Sequence, residues 1–253
     1  MLSVEEMVRT GATRTAENGL VFAVVGSDGP GWGSLDRMVA SVPKPVVQRL
    51  GKTACYFVSW LIKQRRGVGI ANTAAGEGET RKELCHHLDI KPTGNLLLIS
   101  LNFYGEDMYG LAMEFFDKIA YIASLETPAR PDYRELLEKQ FVQEKGGELT
   151  PEAWEWRLET LNRRCSETLD PEVESNYHRA AETDSLGVYM ASLFTDVFYE
   201  DLIADTDGFT PLPAEQLYER VRTLERLYPP NRGYSLQIVR QRPRRRSSTS
   251  KQG

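Results

Sequence analysis

The chain has 253 residues, 41% apolar and 26% charged, which excludes wholesale disorder and leaves room for one large domain or two lobes. The formal charge is −5, yet two stretches run the other way. Residues 240–253 hold six Lys or Arg and no acid, and Arg37 to Gly76 holds seven and no acid.

Residues 1–18 are polar and read as an arm that orders on contact with a partner. Leu20 to Val25 is a short Val-rich run consistent with a strand, and Gly26 to Gly33 must be a turn or loop. From Val46 onward, Val47, Leu50, Ala54, Phe57 and Leu61 recur at spacings of three and four. That period predicts one long helix ended by Arg65-Arg66-Gly67. Gly67 to Gly78 reads as a loop. Leu96 to Leu101 fits a buried strand or a helix equally well, because periodicity does not decide so short an apolar run.

Beyond Gly105 the helical period returns. Leu111, Phe115, Ile119 and Ile122 make one stripe, and Tyr133 to Phe141 is a further helix. Thr150-Pro151 and Asp170-Pro171 are N-cap and first-turn pairs. Trp154, Leu158, Leu161, Cys165 and Leu169 supply the apolar face after the first of them. Ser185 is expected to start another helix, and Pro213 the last. Residues 234–239 suit a short strand. These elements predict a mainly α, two-lobed helical protein with a few short strands and extended terminal arms. Its parts are an N-terminal arm at 1–18, a more basic lobe at 19–105, an acidic helical lobe at 106–228 and a basic arm and tail at 229–253.

Chemistry-bearing motifs are sparse. Cys55, Cys85 and Cys165 are too few and scattered for a disulfide framework and suit a reducing compartment. No run approaches the ~18 apolar residues of a membrane span, and the acidic start lacks the apolar stretch of a signal peptide. Cys85-His86-His87 with Asp89 invites a metal reading, but zinc needs three or four converging ligands and adjacent residues point different ways on a regular element. Gly51-Lys52-Thr53 lacks the upstream glycine of a phosphate-binding loop, since position 46 is Val46. In Asp28-Gly29-Pro30-Gly31 the glycines would let backbone approach a small ligand, but Gly-Pro favours a tight turn in any case, and the tight turn is the preferred reading. Three histidines leave few bases for a catalytic set. The expectation is therefore no metal, no cofactor, no catalytic residues and no enzyme.

The Arg37–Gly76 window says more. Its cations alternate with Tyr56, Phe57 and Trp60, as a groove for single-stranded nucleic acid requires: cations neutralise phosphates and aromatics stack on unpaired bases. The competing reading is a solvated helix face whose aromatics are core. Arg240, Arg242, Arg244, Arg245 and Arg246 form a basic tail suited to tethering RNA, an acidic membrane surface or an acidic protein face.

The order of several short blocks resembles the nucleocapsid proteins of orthobunyavirus-like negative-strand RNA viruses. Leu20-Val21-Phe22 with Ser27 and Gly29, the aromatic segment ending in Lys63, Arg65 and Arg66, Phe103-Tyr104-Gly105, Tyr189-Met190-Ala191-Ser192 with Thr195, Asp196, Phe198 and Glu200, and Gln216-Leu217-Tyr218 through Tyr228 run in the family's order. Tyr104 stands where the family has proline, and Glu219 and Glu225 interrupt the cations of the late helix. The resemblance implies a non-enzymatic protein that coats single-stranded RNA through its phosphates and self-assembles through terminal arms. Its place would be the host cytoplasm and virion, with the tail allowing a nuclear location. By position, Lys63, Arg65 and Arg66 would face RNA, then Lys52, Arg49, Tyr56, Lys44, Arg220 and Arg222. The alternative is a helical scaffold or matrix-like protein whose Arg-rich tail contacts an acidic partner or membrane surface without integral membrane contact.

Overall fold

The computed structural model describes residues 2–26, 32–64, 67–72, 82–125, 127–142, 146–166, 168, 170–204 and 208–239. The Asp28–Gly31 turn, Arg65, Arg66 and the tail arginines lie outside them. The chain opens with β1 (Leu2–Ser3), α1 (Val4–Thr10), β2 (Arg14–Thr15), β3 (Val21–Val25), α2 (Trp32–Ser41) and α3 (Lys44–Arg49). Six strands come next: β4 (Thr53–Val58), β5 (Trp60–Gln64), β6 (Gly67–Ala71), β7 (Lys82–Leu84), β8 (His86–Lys91) and β9 (Gly94–Ser100). Then come α4 (Leu101–Tyr104), α5 (Met108–Leu125), α6 (Pro131–Phe141), α7 (Pro151–Cys165) and α8 (Pro171–Phe194). The last elements are β10 (Val197–Phe198), α9 (Tyr199–Leu202), α10 (Ala214–Leu227) and β11 (Ile238–Val239). Among the described residues helix accounts for 53% and strand for 21%, in sheets of five, four and two strands, so the mainly α expectation is corrected to a mixed fold.

The correction centres on residues 46–64. Gly51, at φ +58°, sits in the left-handed region just past α3 and stops it. Strands β4 and β5 then take the place of the expected helix. In β4, Cys55 and Phe57 face the helices, while Tyr56 and Val58 face the small sheet. A strand covered on both sides is apolar at every position, and a continuous apolar run contains helical spacings by accident.

The five-stranded sheet, in order β2-β3-β4-β9-β8, is the central layer. Strands β3, β4 and β9 are parallel, with β8 antiparallel at one edge. Phe22, Cys55, Phe57, Leu97 and Ile99 point into the larger core against the helices, which takes side chains from Leu20 through Tyr228 and so from both sides of residue 105. On the other face, Ala23, Tyr56, Val58 and Leu98 meet Leu61 and Ile70 of the four-stranded sheet and Met7 of α1.

The described terminal segments, 2–18 and 229–239, are not extended arms. Ser3 and Glu6 form a reciprocal cap on α1, Met7 is fully buried, β1 pairs with β6 and β2 with β3. At the other end, Asn231 donates to the carbonyls of Ala40 and Val42, both at 2.8 Å, and accepts from the Lys44 amide at 3.0 Å. Gln237 N–H reaches the Ser192 carbonyl at 2.8 Å before β11 joins β10.

Thr150 and Asp170 cap α7 and α8 as expected, each accepting from a first-turn amide. No new helix starts at Ser185; α8 runs unbroken for 24 residues. The polar residues that obscured its stripe are buried with partners. Glu182 accepts from Arg49 at 2.8 Å, and Thr183 bonds Ser124 at 2.7 Å. The face of α7 is also turned from expectation. Ala153, Arg157 and Thr160 are buried, whereas Leu158 is 40% exposed and Cys165 is exposed.

Arg157 turns inward because it belongs to a buried network. Glu148 receives Arg220 at 2.7 and 3.1 Å, and both side chains are fully buried. Arg220 Nε donates to Gln140 at 2.8 Å, Tyr177 donates to Glu148 at 2.8 Å, and Arg157 donates to Tyr177 and to the Phe141 carbonyl, both at 3.0 Å. Removing one partner strands a buried charge. Arg220→Met is expected to lower unfolding free energy by ~3–5 kcal/mol, measured by urea denaturation. Nearby, burial pushes the Asp184 carboxyl up to about 8, against the hydrogen bond donated by Thr150. The unfolded chain loses that proton near pH ~4. The folded state therefore holds the extra proton between these values, and stability falls as pH rises through that window. Asp184→Asn should remove this loss, so its urea midpoint should gain on wild type from pH 5 to pH 8.

Candidate nucleic-acid interface

A cleft of about 810 Å³ opens between α1, the end of the four-stranded sheet and the outer face of β4, β8 and β9. Val4, Val8, Val68 and Leu96 give it apolar walls, while Arg9, Lys52 and Lys91 bring cations. Lys52 is held at the floor by backbone. Asn95 N–H donates to the Lys52 carbonyl at 2.8 Å, and Gly94 permits that approach, since a Cβ there would lie 2.5 Å from the same oxygen. Gly94 also has φ +146°, so a side chain is excluded on two counts.

Three carboxylates share the lining, and two are engaged. Asp89 pairs with Lys91 at 2.5 Å, and Glu6 accepts from the Ser3 amide at 3.0 Å. Desolvation holds His87 below the ordinary imidazole range despite Asp89, so this ring is neutral at neutral pH. Cations, carboxylates, an imidazole, backbone groups and apolar side chains together make up its lining.

The rim of the cleft is set by strand register. Lys63 on β5 stands opposite Val68 on β6 and opposite Lys82 on β7. Directly opposed residues share a sheet face. Lys82, Lys63 and Val68 therefore form one row, and Val68 lines the cleft. Both lysines are exposed, and among the described residues neither has a carboxylate partner. Arg65 and Arg66 occupy the chain between Gln64 and Gly67, both of which line the cleft.

Of the residues singled out from sequence, Lys52 lines the cleft, and Lys63 stands beside it, opposite Val68. Tyr56 is part of the wall but 3% exposed, packed in the smaller core, so it has no free ring face for a base. Arg49 is turned inward, donating to Glu182 at 2.8 Å, to the Thr127 carbonyl at 2.9 Å and to the Tyr228 hydroxyl. Arg220 is sealed in the helical core. Lys44 and Arg222 are exposed but line no part of the cleft, and Arg222 pairs with Glu225 at 2.6 Å. Arg9, Lys82 and Lys91 were missed. Only the pairing of distant strands brings them in, and Trp60 to Gln64, three apolar residues followed by two polar ones, carries no period-two signal that β5 is a strand. No family model, curated protein or solved structure matches the chain.

Tyr56→Ala is expected to cost ~3 kcal/mol of stability through the cavity it leaves, read by urea denaturation, as befits a core residue.

Proposed function

We propose that this protein binds single-stranded RNA along the cleft and its rim, without chemistry on the strand. The observation that carries the reading is the row Lys82–Lys63–Val68. Like charges directly opposite each other destabilise a sheet, and an anion lying across them offsets that cost. Arg9 and Lys52 extend the cationic track into the cleft, and in the sequence Arg65 and Arg66 fall between Gln64 and Gly67. The track reads phosphate and not base, because the aromatic that would stack, Tyr56, is closed off. Assembly through terminal arms is not part of the proposal, since residues 2–18 are tied into the sheets.

Four phosphate contacts, from Arg9, Lys52, Lys63 and Lys82, give a slope of about −3 for log affinity against log salt on a single strand. Fluorescence anisotropy with a labelled oligouridine tests this. Lys63→Glu with Lys82→Glu should weaken binding by at least ~10-fold with the circular dichroism spectrum kept. Unchanged affinity in the double variant, or affinity indifferent to salt, would sink the proposal.

A further inference from the structure

On the helical side of β8, two consecutive side chains and a third from a distant helix converge. Cys85 lies in the bend between β7 and β8, His86 is the first residue of β8, and Glu114 projects from α5. Cys85 Sγ is 3.3 Å from His86 Nδ1, His86 Nδ1 is 2.5 Å from Glu114 Oε1, and all three donor atoms lie within 4.8 Å of one another. The bend answers the objection raised by adjacent residues: Cys85 is outside the strand alternation, so its sulfur and the neighbouring imidazole reach the same point. Its backbone is fixed there by the Ser100 N–H, which donates to the Cys85 carbonyl at 2.9 Å. This is the carboxyl end of β9, and such ends of parallel strands are where α/β sheets receive ligands.

The arrangement resembles a Cys–His–carboxylate relay, but the geometry rejects that role. A relay uses both imidazole nitrogens, one toward the nucleophile and one toward the carboxylate. Here sulfur and carboxylate both face Nδ1. That nitrogen carries at most one hydrogen and cannot satisfy both neighbours. Glu114 Oε1 is closed to solvent and accepts no hydrogen bond, although Nδ1 stands so near. A cation shared by three electron-pair donors removes this conflict.

We propose that Cys85, His86 and Glu114 bind a zinc ion. Thiolate, imidazole and carboxylate are the donor types zinc takes, and three protein ligands leave one position open for water. One thiolate and one carboxylate balance the charge of a divalent ion. The nearby Lys118, 3.8 Å from Glu114 Oε1, is already paired with Asp117 at 2.6 Å. The Tyr104 hydroxyl lies beside Glu114 and Cys85 and would serve as the outer contact that orients them. His86 and Glu114 side chains are 32% and 22% exposed, enough for an ion to enter. The site is independent of RNA binding, lying on the opposite face of β8 from the cleft.

The test uses metal-stripped full-length protein titrated with Co2+, then with Zn2+. The expected result is about one Co2+ per chain, with a thiolate-to-cobalt charge-transfer band that Zn2+ abolishes by displacement. Metal uptake should release protons, seen in weakly buffered solution. Cys85→Ser should abolish the charge-transfer band, and Glu114→Gln should weaken Co2+ binding by at least ~10-fold. Tyr104→Phe should weaken it by ~10–100-fold while keeping the band. Cys165→Ser, at an exposed cysteine away from the site, should change nothing. Circular dichroism confirms that each variant is folded. Absence of the band in wild type, its persistence in Cys85→Ser, or its loss in Cys165→Ser would each overturn the assignment.

Discussion

The helical layer is organised around one carboxylate. Glu148 lies on the segment between α6 and α7 and takes two hydrogen bonds from Arg220 of α10 and one from Tyr177 of α8, with the Arg157 guanidinium of α7 at 3.5 Å. Two guanidiniums against one carboxylate leave a surplus of buried positive charge. The Gln140 side chain and the Phe141 carbonyl absorb part of it. Coulomb attraction in such a low-dielectric interior is strong, but so is desolvation, and the arrangement holds only because nearly every donor has an acceptor. Four helices are therefore locked by polar geometry that apolar packing alone would not specify. The backbone of Glu148 is fixed as well, donating to Thr210 and accepting from Leu212.

The central sheet then separates two kinds of surface. Its helical face meets the large core, and its other face meets the small sheet and α1 with far fewer apolar groups. A smaller core closes less of the sheet, and the 810 Å³ cleft lies along the uncovered part. The cations of the Arg37–Gly76 window are divided by the same partition. Arg49 is drawn into the helical layer by Glu182, while Lys52 and Lys63 remain on the cleft side.

What was legible in the sequence was local. Helix α5, helix α6 and the starts of α7, α8 and α10 depend on a period and a cap within a few residues, and they stand where the pattern put them. What was illegible depended on both faces of an element being covered. Strand β4 read as helix because its two faces serve two cores, and the middle of α8 read as a break because its polar residues find partners on other helices. The candidate interface was legible only at Lys52 and Lys63, and for a different reason from the one expected: strand register, not a helical stripe, brings Lys63 to the rim. Arg220 was misread because a buried guanidinium and a phosphate-seeking one look alike in a string of letters. Glu114 was invisible because nothing links it to Cys85 until α5 packs on the sheet.

Strand β8 carries its chemistry by parity. His86 turns toward α5, while His87 and Asp89 turn toward the cleft. A slip of one residue against β9 would not blur this sorting but invert it, since side chains alternate with a period of two. The reversal Pro92-Thr93, between the paired Lys91 and Gly94, therefore acts as an indexing pin: it sets which imidazole each side of the sheet receives.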